Sequence, residues 1–298
     1  MKTWKALLAA SLIMATVPVF AQNITMGNGN REPQTCTDMQ ITIGDGETVR
    51  GEQTLNFPAS EAPTLAFDGT SHTGVHVTGW DQNEFSVVAC KAAGGSTEAE
   101  ARKVLEQVQL QRSGGTLTVT GPDTENDDRR WTAILLVKAP RNAALNLRVK
   151  NGPLSLLGMR GSGMLDAKNG PISLRDSSGQ FEVTTKNGPI SISGAAGKLK
   201  LVAHNGPIEV NVVGQEWNGE VVGEAYNGPI ELMLPLHFSS GVEVTNSRGP
   251  MSCSADACTG QVFNVEDGEH RIRIGGGNTV IRLSTQNGPV MVANRKTL

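Results

Sequence analysis

Asn169-Gly170-Pro171-Ile172-Ser173-Leu174-Arg175-Asp176-Ser177-Ser178-Gly179-Gln180-Phe181-Glu182-Val183-Thr184-Thr185-Lys186, followed at once by a second Asn187-Gly188-Pro189, is the stretch that decides the architecture. Ile172 and Leu174 alternate with Ser173 and Arg175, the period of a strand with one buried face. Asp176 to Gly179 reads as a turn. Phe181, Val183 and Thr185 then alternate with Glu182, Thr184 and Lys186 as a second strand. The next unit repeats the scheme, with Ile190 and Ile192 inward, a turn at Gly194 to Gly197, then Leu199, Leu201 and Ala203 inward. Ile208, Val210 and Val212, and later Ile230, Leu232 and Leu234, continue the first set.

Working outward, the corner recurs as Asn-Gly-Pro from Asn151, Asn169, Asn187, Asn205, Asn227 and Asn287, and as Arg-Gly-Pro from Arg248. Successive starts lie 18, 18, 18, 22, 21 and 39 residues apart, and a degraded corner at Asp267-Gly268 divides the last gap into 19 and 20. So short and regular a period predicts a solenoid, each turn stacked on the next. Two strand legs per turn predict an all-β, flattened parallel β-solenoid of about 18–22 residues per turn. Parallel crossovers are overwhelmingly right-handed, which sets the expected hand. A left-handed hexapeptide helix would need a small apolar residue every sixth position, and Ser178 and Thr184 stand there instead. Eight turns at strand spacing would make a rod of about 40 Å.

The corner tripeptide has a turn logic. Asn tolerates left-handed torsions, Gly reaches torsions few residues can, and Pro fixes φ and withholds a donor. If alternation continues through Thr185 and Lys186, Asn187 points inward and the equivalent asparagines stack as an amide ladder. These residues are read as structural turns rather than as ligand contacts.

Residues 1–21 read as a signal peptide: Lys2 and Lys5, an apolar stretch from Leu7 to Val17, then Val19-Phe20-Ala21 before the cleavage point. The apolar stretch is short for a membrane span, and no second segment of spanning length follows. Without those two lysines, 24 basic residues face 29 acidic ones, a balance of −5 that disfavours nucleic acid and anionic lipid surfaces. The expected location is periplasmic or extracellular. Residues 22–37 read as a flexible lead-in, 38–150 as an irregular first part of the solenoid, and 151–298 as its regular part. Gly and Pro reach 49 of 298 residues yet fall at fixed offsets, which fits turn-rich β structure rather than disorder.

Four cysteines in an exported chain permit two disulfides. Cys253 and Cys258 bracket a short loop and are paired, leaving Cys36 with Cys90. Paired Cys-x-x-Cys elements and a nearby histidine are missing, so zinc is not expected. In the first half, Val75-His-Val77, Phe85-Ser-Val87, Leu117-Thr-Val119 and Leu145-Asn-Leu147-Arg-Val149 alternate. One helix is expected near residues 97–107, with Thr97 and Glu100 as a capping box and Ala101, Val104, Leu105 and Val108 as its apolar stripe. Part of residues 38 to 120 is expected to cap the open end of the stack.

The segments Gly74-Val-His-Val-Thr-Gly-Trp80 and Val137-Lys-Ala-Pro140, with the repeated Lys-Asn-Gly-Pro-Ile-Ser, resemble an adhesin-like domain-of-unknown-function family of bacterial envelope proteins. The likeness spans roughly residues 38 to 295. It implies a right-handed β-solenoid outside the cytoplasm, without accepted enzymatic activity or a catalytic motif to carry over. The membrane helix that some members carry is not found here.

Three constellations could carry chemistry. The positions before the corners, Lys150, Lys168, Lys186, His204, Tyr226, Ser247 and Gln286, share outward parity and should stand one above another. Such a row could bind an anionic glycan or another cell-envelope component, although edge lysines also serve simply to keep a flat sheet soluble. Arg148 and Asp166, one turn apart on the same face, are placed to pair. The run Asp123-Thr-Glu125-Asn-Asp127-Asp128 invites a calcium reading but lacks the glycine and distal glutamate of an EF-hand, so it reads as a solvated loop. Glu216, Trp217, Glu220 and Glu224 put acids near an aromatic, which keeps a polysaccharide lyase or hydrolase as the alternative. His72 and His76 flank Gly74 and are not expected to hold a metal. The leading reading is a non-catalytic, exported, adhesin-like binding or scaffold protein, with no catalytic residue, no cofactor, no nucleic-acid partner and no membrane segment after signal cleavage.

Overall fold

The computed structural model describes residues 22–26, 33–69, 72–123, 130–258, 264–266 and 269–295. The expected signal peptide, and the acidic run beyond Asp123, lie outside the described residues. Strands β1 (Gln22–Met26) and β2 (Met39–Ile43) pair antiparallel, so the expected flexible lead-in contains a strand. The first half continues with β3 (Glu47–Pro58), β4 (Thr64–Asp68), β5 (Thr73–Trp80), β6 (Glu84–Gly95), helix α1 (Glu98–Gln107), β7 (Gln109–Ser113), β8 (Thr116–Thr120) and β9 (Arg130–Pro140).

Strand pairs follow at the repeat period: β10 (Ala144–Asn151) with β11 (Leu154–Leu157), β12 (Ser162–Asn169) with β13 (Ile172–Arg175), and β14 (Gln180–Asn187) with β15 (Ile190–Ser193). Next come β16 (Gly197–Asn205) with β17 (Ile208–Asn211), β18 (Gly219–Asn227) with β19 (Ile230–Leu234), and β20 (Ser240–Arg248) with β21 (Met251–Cys253). The chain closes with β22 (Asn264–Glu266), β23 (Glu269–Ile274), β24 (Gly276–Asn287) and β25 (Val290–Asn294).

In each pair the longer strand joins a 12-stranded sheet and the shorter an 11-stranded sheet. The first sheet orders as β22-β23-β20-β24-β18-β16-β14-β12-β10-β4-β8-β7, and the second as β21-β25-β19-β17-β15-β13-β11-β5-β9-β6-β3. From β10 to β19 every pairing is parallel, with residues 18 or 22 apart in register. The alternation read from the sequence explains the layers: Phe181, Val183, Leu199 and Leu201 of one sheet and Ile172, Leu174, Ile190 and Ile192 of the other face a common core, each at most 3% exposed. Side chains of this size contribute about 1.5–3 kcal/mol each when buried. Stacking identical apolar positions also makes a one-residue slip costly, since it would turn every one of them to water.

Both ends of the stack depart from simple succession. At the first end, β4 pairs with β10 and β5 with β11, while β9 enters between β5 and β6. Helix α1 lies against β3 and β6 with Ala101 and Val104 buried, as expected of a cap. The Thr97 hydroxyl accepts from the Glu100 amide at 3.3 Å, while the Glu100 carboxylate takes the Ser96 amide at 3.1 Å. Strand β9 is apolar on both faces because Ile134 and Leu136 meet Met39, Ile41 and Ile43 of β2 in a separate small core, beside the Cys36–Cys90 disulfide.

At the far end the sequence order is broken. Strands β24 and β25, carrying the Asn287 corner, lie between the Asn227 and Arg248 pairs, so the Arg248 pair is not the neighbour of the Asn227 pair as the spacing implied. The degraded corner expected at Asp267-Gly268 lies outside the described residues; β22 and β23, before and after it, pair antiparallel, and β23 pairs antiparallel with β20. The second disulfide, Cys253–Cys258, ties β21 to a 3-10 turn at Asp256–Cys258.

Candidate functional site

The corner builds the site. Asn151, Asn169, Asn187, Asn205, Asn227 and Asn287 stand in one register column. Each amide nitrogen donates to the preceding asparagine's side-chain oxygen, at 2.7 Å from Asn169 and Asn187, 2.9 Å from Asn205, 3.1 Å from Asn227 and 3.0 Å from Asn287. The ladder therefore forms, but not in the interior. Asn187, Asn205, Asn227 and Asn287 are exposed, because the chain leaves the sheet at the corner and their side chains lie along the open edge. The inward position belongs to the residue two before. Thr185 and Thr285 are buried there, their hydroxyls donating to the Gly170 and Gly228 carbonyls at 3.4 and 2.8 Å.

Val149 pairs with Ala167 and Asn151 with Asn169, so Lys150 between them stands against Lys168 on the outer face; the same holds for Lys168 and Lys186, Lys186 and His204, and His204 and Tyr226. The order beyond Tyr226 is Gln286 and then Ser247, the reverse of the sequence order, because β24 precedes β20 in the sheet. Lys168, Lys186, His204 and Tyr226 line an open groove of about 630 Å³ together with Asp166, Thr184, Asn205 and Asn227. Lys150 lies one strand further along the row, outside that groove. The His204 and Tyr226 rings stack with centroids 5.0 Å apart and planes 7° from parallel.

The groove holds charges of both signs, the Asp166 carboxylate beside the ammonium groups of Lys168 and Lys186. Among the described residues, Lys150, Lys168 and Lys186 have no carboxylate within ion-pair distance. Arg148 and Asp166 are opposite each other in register yet do not form the expected ion pair. Glu182 instead approaches Lys200, at 4.0 Å. At strand spacing, unit charges repel by roughly 1 kcal/mol in water, a modest cost that a bound anion would reverse. Near Lys150, burial lowers the pKa of His72 below the ordinary histidine value, and the charges of Lys150 and Arg130 add to the effect.

The remaining candidates do not converge. Trp217 is buried, its indole N–H donating to the Gly197 carbonyl at 3.1 Å. Glu216 accepts from the Ser239 hydroxyl at 3.3 Å, Glu220 holds Arg282 at 2.5 Å, and Glu224 accepts from Gln286 at 3.5 Å. His76 is buried in β5 with Nδ1 2.5 Å from the Ser155 hydroxyl, and His72 sits edge-on to Trp131 outside that strand. Among the described residues no cluster of three metal-ligating groups occurs. None of their helices is long and apolar enough to cross a membrane. Sequence reading did not place Thr184 in the groove, took Asn205 and Asn227 for turn residues only, and put Asp166 on this face only as a partner for Arg148. Asp166 and Thr184 share the outward parity of the row, two positions before Lys168 and Lys186, and that parity was the signal available.

No known protein family matches the chain, and no curated protein does. Among solved structures it is similar to a "putative adhesin" from Parabacteroides distasonis, with TM-score 0.38 and 11% identity over 84% of this chain and 98% of that one. A "putative cell adhesion protein" from Clostridium sporogenes gives TM-score 0.34 and 11% identity over 83% and 100% of the two chains. A "putative lipid binding protein" from Parabacteroides distasonis gives TM-score 0.31 and 11% identity over 82% and 97%. Likeness at this level leaves the case for function to the side chains of the groove.

Proposed function

We propose that the chain is a right-handed β-solenoid, exported to the periplasm or cell surface, that binds an anionic glycan or another acidic envelope polymer without chemically altering it. The observation that carries this reading is the coincidence of the stacked lysine row with the open groove that Lys168 and Lys186 line, in which Asp166 is the single carboxylate among the described lining residues. Two disulfides support a site of action outside the reducing cytoplasm. An extended polymer is the natural occupant, because a compact ligand would meet only one or two cations of a row spread over successive strands.

The triple variant Lys150→Gln, Lys168→Gln, Lys186→Gln tests it. All three side chains are exposed, so the variant should keep the wild-type melting temperature. It should weaken binding to acidic glycans on an array and flatten the salt dependence of what remains. Equal binding by wild type and variant at low and high salt overturns the assignment. Release of reducing ends from an acidic polysaccharide, abolished by Glu216→Gln or Glu220→Gln, would establish the hydrolase or lyase alternative instead.

A further inference from the structure

We infer that the groove takes a zwitterionic sugar, a unit of the acidic polymer that carries a free ammonium group and an acid on one ring. The inference rests on the proposed binding of an acidic envelope polymer and adds the second charge of the unit bound. Charge is confined to one end of the groove, on two neighbouring strands. In the register of β12 and β14, Asp166 stands beside Thr184, and two positions further on Lys168 stands beside Lys186. All four side chains line the groove. Asp166 and Lys168 share a face of β12, yet among the described residues Asp166, Lys168 and Lys186 form no ion pair with one another or with a third group. Arg148, opposite Asp166 in register, does not pair with it either. The fold therefore presents both signs to a ligand instead of cancelling them.

Lys168 and Lys186, on strands about 4.8 Å apart, close on one acid from two sides. Asp166 is an acceptor only, and a second acid placed against it is repelled. A hydroxyl there would hydrogen-bond but leave the carboxylate charge uncompensated, whereas an ammonium supplies both the donor and the opposite charge. The hydroxyl of Thr184 adds a neutral acceptor beside it. The acid station and the ammonium station lie two residues apart along the strand, roughly 6.6 Å, a distance that one pyranose ring bridges between its 2- and 6-substituents. Toward the other end the lining changes to His204 and Tyr226, stacked on each other, with Asn205 and Asn227. Asn205 gives one N–H to Asn187 and accepts from Asn227, which leaves it a second N–H. Adjoining sugars of the polymer are held there by rings and amides, so a single zwitterionic unit facing β12 and β14 satisfies the charged end however the rest of the chain turns.

The experiment titrates the protein, followed by NMR chemical shifts, with glucosamine 6-phosphate as the isolated unit, with N-acetylglucosamine 6-phosphate and with glucosamine. Glucosamine 6-phosphate should bind about tenfold more tightly than the N-acetylated sugar, which keeps the acid and loses the ammonium. Glucosamine, which keeps the ammonium and loses the acid, should be weaker than glucosamine 6-phosphate by about tenfold as well. Asp166→Asn should bring the two phosphates to equal affinity, and Lys168→Gln/Lys186→Gln should weaken both, with circular dichroism unchanged in each variant. Equal binding of the two phosphates by the wild type, or tighter binding of the acetylated one, overturns the zwitterion and leaves the acidic-polymer reading standing. Binding of neither phosphate also overturns it, and the acidic-polymer reading falls with it only if the glycan array shows no acidic ligand. A preference that persists in Asp166→Asn overturns the groove as its source.

Discussion

Each Asn-Gly-Pro corner divides its work among three residues, and their costs on replacement should differ. Asn187 contributes two ladder contacts on the open edge, where water competes for both groups. Asn187→Ala should therefore cost only about 1 kcal/mol in a urea titration. Gly188 has φ +150°, and a Cβ there would meet the Gly170 carbonyl oxygen at 2.2 Å. Gly188→Ala should cost more than Asn187→Ala, since backbone on two adjacent strands has to shift. A second residue-scale prediction concerns His72. Burial, reinforced by Lys150 and Arg130, lowers its folded-state pKa, so below the ordinary histidine range the unfolded chain binds more protons than the folded one. Its stabilising contribution is present above pH about 6.5 and is lost as the pH falls from there through the lowered pKa. His72→Gln should reduce the fall in melting temperature between neutral and mildly acidic buffer; an unchanged fall would assign that dependence to other groups.

Among the elements, the paired strands show how much of the fold is legible from a period of two. Leu199 and Leu201 face the core because Lys198 and Lys200 face water, and the same reasoning holds for Ile208 and Val210. Leu201 is 1% exposed, so Leu201→Ala should cost about 2–5 kcal/mol. Leu201→Asp should unfold the array, because a buried unpaired carboxylate costs several kcal/mol more than a cavity. An unchanged melting temperature for Leu201→Asp would mean that this face is not buried. Helix α1 was equally legible, since its cap and apolar stripe are local features. The small core under β2 was not. Ile134, Leu136, Ile41 and Ile43 are far apart in sequence, and a strand that is apolar on both faces carries no alternation to say which side meets which partner. The lysine row was legible because parity and period are enough to stack Lys168 on Lys186. The missing Arg148–Asp166 pair was not, because opposite register positions do not force long side chains to meet.

Over the whole molecule, the order of the strands is the property that spacing misjudged, and the reason is physical. Strand β20 presents Val242 and Val244 to the core, and β24 presents Ile281 and Leu283. The two have the same inward pattern and end in the same corner, so nothing local distinguishes which one follows β18. In the folded chain Leu283 fills the space over Gly223, where an added Cβ would lie 2.7 Å from its Cδ2. At the other corner, however, the β20 side already touches the β18 side: the Ser239 amide donates to the Gln215 carbonyl at 2.9 Å, and the Trp217 amide donates to the Ser240 hydroxyl at 3.0 Å. Strands β24 and β25 therefore enter as a wedge between pairs whose far corner is closed without them. Deleting residues 276–298 should let β20 and β21 close onto β18 and β19, with Val242 over Val221 and Val244 over Gly223 in the positions that Ile281 and Leu283 leave. The shortened chain should melt cooperatively at a lower temperature, having lost the burial of Ile281, Leu283, Val290 and Val292. Hydrogen exchange should still show slow amides on the β20 edge that β24 occupied, protected by new pairing with β18, since the opposite edge keeps its partner β23 in either case. Rapid exchange on that edge of β20, with β10 to β19 still protected, would show that the inserted strands are required to hold the last pair.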